Sequence, residues 1–164
     1  WDIRNMLIAK RPPFVLLENV DRLLKSPASQ RGRDFGIILS SFAQLGYRVE
    51  WRVINAAEYG AVQRRRRTFI FAYNKTTAYS DMMDNMDALS IISEQGMMAH
   101  AFPIENAGAE YTTHVPATDV YDVDRYLLYD EGTDASDNDL LEVTKNFAFG
   151  FCNAGFMRDG EVTT

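Results

Sequence analysis

The chain has 164 residues, 46% of them hydrophobic and 24% charged, with a formal net charge of −6. That much apolar material supports one compact domain, or pieces of two larger ones, and excludes global disorder. The charge is divided: residues 1–75 hold 14 Lys+Arg against 6 Asp+Glu, a balance of +8, whereas residues 76–164 hold 3 against 17, a balance of −14. A basic half attracts phosphate and an acidic half repels it, so nucleic acid is expected to meet the first half.

The lone cysteine, Cys152, excludes an internal disulfide and a Cys-rich zinc site. It follows Phe151 and reads as a buried or incidental thiol. His100 and His114 lack a partner cysteine or an HExxH pattern, so no metal is expected. No apolar run reaches eighteen residues and no signal peptide is visible, which predicts a soluble, cytoplasmic protein with no membrane partner. The chain opens at Trp1 inside what reads as a helix, as a piece of a longer protein would.

Ile3, Met6, Leu7 and Lys10 fall at helical spacing, and Pro12-Pro13 stops that helix. Phe14 to Leu17 is a continuous apolar run, predicting a strand covered on both faces as in a parallel α/β sheet. Glu18 ends it, at the edge where ligands collect in such sheets. Phe35, Ile38, Leu39, Phe42 and Leu45 predict a crossover helix with Gly46 as its stop. Tyr47, Val49, Trp51 and Val53 alternate with Arg48, Glu50 and Arg52, predicting a half-buried strand with one wet face. Its partner strand is expected over Thr68 to Tyr73, after a long connection that carries Tyr59-Gly60 and the arginines.

Beyond Asn74, Met82, Met83, Met86, Leu89, Ile91 and Ile92 predict an amphipathic helix, and the acidic stretch Asp130 to Asp139 a solvated loop. Phe147, Phe149 and Phe151 alternate as in a strand. Asp159-Gly160 predicts a tight hairpin turn into Val162.

Two clusters carry chemistry: Glu18-Asn19-Val20, and Gln63-Arg64-Arg65-Arg66-Arg67 about forty-five residues later. Glu18 taken alone fits a helix cap or an arginine partner, and the arginines fit a solvated or localisation-like basic patch. Taken together they fit a site that protonates a ring nitrogen while holding a carbonyl and phosphates. A carboxyl group, ordinarily near pKa ~4.3, donates a proton near neutrality only if burial or an anionic neighbour raises that value, and a pocket at the end of an apolar strand is expected to supply that burial. Side chains alternate along a strand, so Arg65 and Arg67 are expected on one face, Arg64 and Arg66 on the other.

FVLLENV, a helix ending in LGY, and then NAAEYGAVQRRRRTFIFAY resemble the C5-cytosine DNA methyltransferases, in which an ENV and a QRxR element occur in this order. The likeness covers residues 1 to 75 well, and weaker likeness at Ala101-Phe102-Pro103 and Asn153-Ala154-Gly155 resembles the approach to the family's target-recognition region. It implies a partial Rossmann-like methyltransferase sheet, hence an α/β fold, with residues 1–75 as the later part of the catalytic domain. Residues 76–164 are then a less regular acidic segment leading into recognition. It implies a flipped cytosine attacked at carbon 6 by a thiolate and methylated at carbon 5 from S-adenosylmethionine. In that chemistry Glu18 donates to ring nitrogen 3, and Arg65 and Arg67 hold the carbonyl and neighbouring phosphates. Asn19 and Val20 support the loop, and Gln63, Arg64 and Arg66 meet nucleic acid.

Two departures stand out. The family's Pro-Cys nucleophile and any Gly-x-Gly turn for the methyl donor are missing from the chain. No cofactor-binding residue is therefore assigned, and the 164 residues alone are expected to be inactive. The expected setting is a prokaryotic or phage restriction-modification or self-protection enzyme acting on double-stranded DNA. A transfer-RNA cytosine methyltransferase and a noncatalytic binding module are the alternatives. A truncated sheet is also expected to expose apolar edges, which a homodimer could cover.

Overall fold

The structure is a computed structural model that describes residues 2–28, 32–103, 113–114 and 153–164. The predicted strand over Phe147 to Phe151 and the acidic stretch Asp130 to Asp139 lie outside the described residues.

Helix α1 (Asp2–Lys10) ends before Pro12-Pro13 as expected, because proline lacks an amide hydrogen and restricts the residue before it. Strand β1 (Phe14–Val20) runs into a 3-10 turn (Asp21–Lys25), and helix α2 (Arg33–Gln44) follows. Phe35, Leu39 and Phe42 are its core face, and Gly46 at φ 78 supplies the left-handed residue that ends it. Strands β2 (Tyr47–Asn55) and β3 (Arg66–Asn74) are joined through a short turn at Ala56–Tyr59.

With β4 (Thr113–His114), β5 (Ala154–Arg158) and β6 (Glu161–Thr163), these make a six-stranded sheet in the order β1-β3-β2-β5-β6-β4. Each neighbouring pair is antiparallel. The fold is mixed α/β. β1 and β2 both run against β3, so they point the same way, and α2 carries the chain across from one to the other.

The parallel-sheet expectation for β1 needs correction. β1 is an edge strand, hydrogen-bonded to β3 on one side only among the described residues. Val15 and Leu17 pack on the α2 cluster, but Leu16 is 64% exposed and Phe14 and Val20 are also exposed. The apolar run thus has one covered face.

The wet face expected on β2 is a second correction, since Arg48, Glu50 and Arg52 are only 7%, 2% and 3% exposed. Their cover is α3 (Ala78–Asp84), α4 (Ala88–Ser90), a π turn (Ile91–Gln95) and α5 (Met97–Ala101). The single amphipathic helix predicted here is broken into these turns, because Thr77 and Asp87 each start a new one with a side chain accepting from Ser80 N and Ser90 N. Met83, Ile91, Ile92 and Met98 form a second core with Phe71, Tyr73 and Phe156. Both faces of β2 are therefore packed.

β5 pairs with β2 from Val49 opposite Met157 to Arg52 opposite Ala154, which sets the last hairpin beside β2. The β5–β6 turn is Asp159-Gly160 with φ 49 and 87, the two left-handed residues of the predicted tight hairpin. Among the described residues no helix is long and apolar enough to cross a membrane.

Candidate base-binding site

Glu18 lies opposite Phe69 in the β1–β3 ladder, and Val20 lies opposite Arg67. Residues two apart on a strand share a face, so Glu18, Arg67 and Phe69 project together. Arg67 Nε donates to Glu18 Oε1 at 2.6 Å, and Arg67 Nη1 to the Arg66 carbonyl at 2.7 Å. Arg65 joins them around a cavity of about 490 Å³ whose other walls are Ile54, Ala56, Tyr59, Ala61, Phe69 and Phe102. The acid and both arginines thus border one space.

Two details differ from the sequence reading. The Glu18 side chain is 46% exposed, not buried, because β1 is an edge and the acid faces a guanidinium instead of an apolar wall. β3 begins at Arg66, so strand alternation does not govern Arg64 and Arg65, which sit in the preceding loop. Arg65 reaches the cavity from there. Arg66 turns away, with Nε 3.3 Å from Asp21 Oδ2 and Nη2 donating to Asn153 Oδ1 at 3.4 Å. Gln63 and Arg64 are exposed in the same loop. Asn19 Oδ1 accepts from Val20 N at 2.8 Å and so braces the turn out of β1.

Sequence reasoning missed the aromatic wall of Tyr59, Phe69 and Phe102 and the buried polar layer behind it. Glu50 Oε1 accepts from the Tyr79 hydroxyl at 2.9 Å, and Oε2 from Met98 N at 2.9 Å. Burial pushes the Glu50 carboxyl up, opposed by the Met98 amide, the Tyr79 hydroxyl and the charge of Arg52. Burial and then the Glu50 charge push the Tyr73 and Tyr79 hydroxyls up as well. Arg48 Nη1 donates to Ser80 Oγ at 2.6 Å and pairs with Asp84. One signal pointed this way: an amphipathic segment after residue 77 needs a face to cover, and β2 was the strand with a side to spare.

Among the described residues no cluster of His, Cys, Asp and Glu could hold a metal. S-adenosylmethionine does not fit the residues present. The chain has no Gly-x-Gly turn, and the 370 Å³ cavity between α1, β1 and α2, lined by Leu7, Leu17 and Phe42 together with Arg4, Glu18 and Asn19, offers none in its place.

Chemically, the 490 Å³ cavity offers a carboxyl group, two guanidinium forks and an aromatic wall, a set suited to a flat polar heterocycle attached to phosphates. The fold and the cavity thus define an α/β protein in which one acid, two arginines and three aromatic rings border a common space. Residues 1–145 match the C-5 cytosine-specific DNA methylase family, and the chain belongs to that family. Over its whole length it is 44% identical to the type II methyltransferase M.Sau3AI of Staphylococcus aureus, of which it covers 35%. It is 38% identical over 74 residues to the type II methyltransferase M.NlaIV of Neisseria lactamica, a stretch that is 43% of this chain and 18% of that protein. It is 39% identical over 62 residues to DNA (cytosine-5)-methyltransferase 1A of Oryza sativa subsp. japonica, which is 38% of this chain and 4% of that protein. The chain therefore spans a minor part of each relative.

Proposed function

We propose that this chain supplies the base-gripping half of a DNA cytosine-5 methyltransferase that serves restriction-modification or self-protection in a prokaryote or phage. Its substrate is double-stranded DNA with a cytosine turned out of the stack. Addition of a nucleophile at carbon 6 drives electron density onto ring nitrogen 3 and the exocyclic oxygen. Once the bound ring shuts solvent away from it, Glu18 delivers a proton to nitrogen 3, while Arg65 and Arg67 stabilise the oxygen and hold flanking phosphates. Arg67 also orients the acid. Asn19 and Val20 keep the end of β1 in shape, and Gln63, Arg64 and Arg66 meet the DNA backbone. Residues 1–75 form the later part of the catalytic domain and carry Glu18, Arg65 and Arg67, and residues 76–164 are an acidic connecting segment that leads toward target recognition. The sheet is read as part of a Rossmann-like methyltransferase domain, a reading supported by the same-direction strands β1 and β2 joined by α2.

The observation that carries this is the convergence of Glu18, Arg65 and Arg67 on one cavity, with a 2.6 Å contact between the acid and Arg67. The purified chain is expected to bind duplex DNA with affinity that falls steeply with salt, and Arg65→Ala and Arg67→Ala each reduce the slope of log K against log salt by about 1. An unchanged slope in both variants refutes phosphate contact by these arginines. In a tritium-transfer assay the 164 residues alone are expected to give no turnover, because neither Pro-Cys nor Gly-x-Gly occurs in them.

A further inference from the structure

The aromatic side of the cavity comes from two places in the chain. Phe69 stands on β3 opposite Glu18, whereas Phe102 belongs to the segment after α5. Their rings stack with centroids 5.8 Å apart and 28° between planes, and Tyr59 meets Phe102 edge-on at 5.5 Å and 82°. A side chain outside regular structure needs an anchor to serve as a wall. Arg52 provides it.

From its buried position on β2, Arg52 donates through Nη1 to the carbonyls of Met98, at 3.2 Å, and of Phe102 itself. Nη2 donates to the carbonyl of Ile92. A planar guanidinium that spans these carbonyls fixes both the turn at 91–101 and the residue following it. The Tyr59 hydroxyl ties the same stretch from the other side, donating to the Pro103 carbonyl at 3.3 Å. Removing the fork would leave Phe102 held by its ring contacts, by its own amide on the Met98 carbonyl at 3.0 Å and by the Tyr59–Pro103 tie.

We propose that Phe102 is the wall against which an extruded base ring packs, and that Arg52 is the positioning residue that sets this wall. The inference rests on the reading of the cavity as a cytosine site. An aromatic surface supplies contact to any flat base, because every base has a π face. The carboxyl and guanidinium groups then read its polar edge. Affinity for an unstacked base thus comes from Phe102, and choice among bases from Glu18.

The test uses the chain and two otherwise identical short duplexes, one fully paired and one with a single cytosine opposite an abasic site, where extrusion costs little. The readout is the ratio of the two dissociation constants. The wild-type chain is expected to prefer the unpaired cytosine, and Phe102→Ala and Arg52→Met to reduce that preference about tenfold. Their salt slopes stay at the wild-type value, since neither side chain reaches phosphate. Phe102→Tyr restores the preference. Far-UV circular dichroism checks that Arg52→Met is folded, and the partly exposed Phe102 gives a result if it is not. A preference kept in Phe102→Ala but lost in Glu18→Gln overturns the wall and leaves the base site standing. No preference in the wild-type chain overturns both.

Discussion

Replacing Gly96 by alanine is expected to destabilise the fold by about 2–5 kcal/mol, although backbone considerations alone give the opposite sign. Gly96 has φ −73 and ψ 161, an extended conformation open to any residue. Alanine there restricts the unfolded chain, which by itself stabilises by about 0.4–1 kcal/mol. Space decides otherwise. An added Cβ meets the Ile91 carbonyl oxygen at 2.4 Å and Glu50 Oε2 at 2.6 Å. Ordinary carbon-to-oxygen contacts begin near ~3.3 Å, so something must retreat by roughly 0.9 Å. The Ile91 oxygen is backbone and already accepts from Gly96 N at 2.9 Å. Glu50 is held by the Tyr79 hydroxyl and the Met98 amide, both at 2.9 Å. Moving either partner that far stretches a 2.9 Å bond beyond hydrogen-bonding range. A lost hydrogen bond to a buried carboxylate costs about 1.5–3 kcal/mol and overpacking about 1–3. Urea unfolding at constant pH measures the difference. A loss smaller than about 1 kcal/mol, or any gain, would refute the packing of Glu50 against the 91–98 turn.

Glu50→Gln is expected to remove a pH dependence with a definite sign. Burial raises the folded-state pKa of Glu50 above its ordinary 4.5. The native state then binds the proton more readily than the unfolded chain, so wild-type stability falls as pH rises from that ordinary value through the raised one. The slope is at most about 1.4 kcal/mol per pH unit. The wild-type advantage over Glu50→Gln therefore shrinks with rising pH across this window, and parallel curves in urea unfolding at successive pH values contradict the assignment. Gly160→Ala places a Cβ at φ 87 in the β5–β6 turn. A stability loss of about 1 kcal/mol is expected from the left-handed backbone, read as a lowered thermal midpoint, and an unchanged midpoint argues against this turn geometry.

Local signals predicted the elements whose causes are local. Pro12-Pro13 ends α1, Gly46 ends α2, and Asp159-Gly160 turns the last hairpin, because each depends on what its own backbone can adopt. Strand alternation correctly grouped Arg48, Glu50 and Arg52 on one face of β2, but a period of two does not say what lies against that face. Arginine and glutamate are usually solvated, so the wet reading followed, and only the tertiary cover after residue 77 reverses it. β1 failed in the other direction, since an apolar run does not reveal whether a neighbour is present. The contact of Glu18 with Arg67 depends on antiparallel register across more than forty residues of chain. Motif order anticipated that proximity; propensity alone had no access to it. Phe102 was invisible as a wall because its place is fixed by Arg52, a side chain fifty positions earlier.

The buried polar layer also explains why the cover segment sits where it does. Taking charged groups out of water is costly, and breaking a paired arrangement costs more than forming it returns. Through their Nη atoms Arg52 donates to the carbonyls of 92, 98 and 102, Arg48 meets Ser80 and Asp84, and Arg158 donates to the carbonyls of Met83 and Met86 at 2.9 Å. A shift of the segment by one residue would strand these donors, so its register on the sheet is specified far more sharply than apolar packing alone would achieve. That precision reaches the candidate site through both ends of the stretch between Pro103 and Asn153. Pro103 accepts from Tyr59, which lines the cavity. Asn153 accepts from Val53 N at 2.6 Å through its carbonyl and from Arg66 through its side chain. These two anchors tie the cover to β2, to β3 and to the rim that carries Glu18, Arg65 and Arg67.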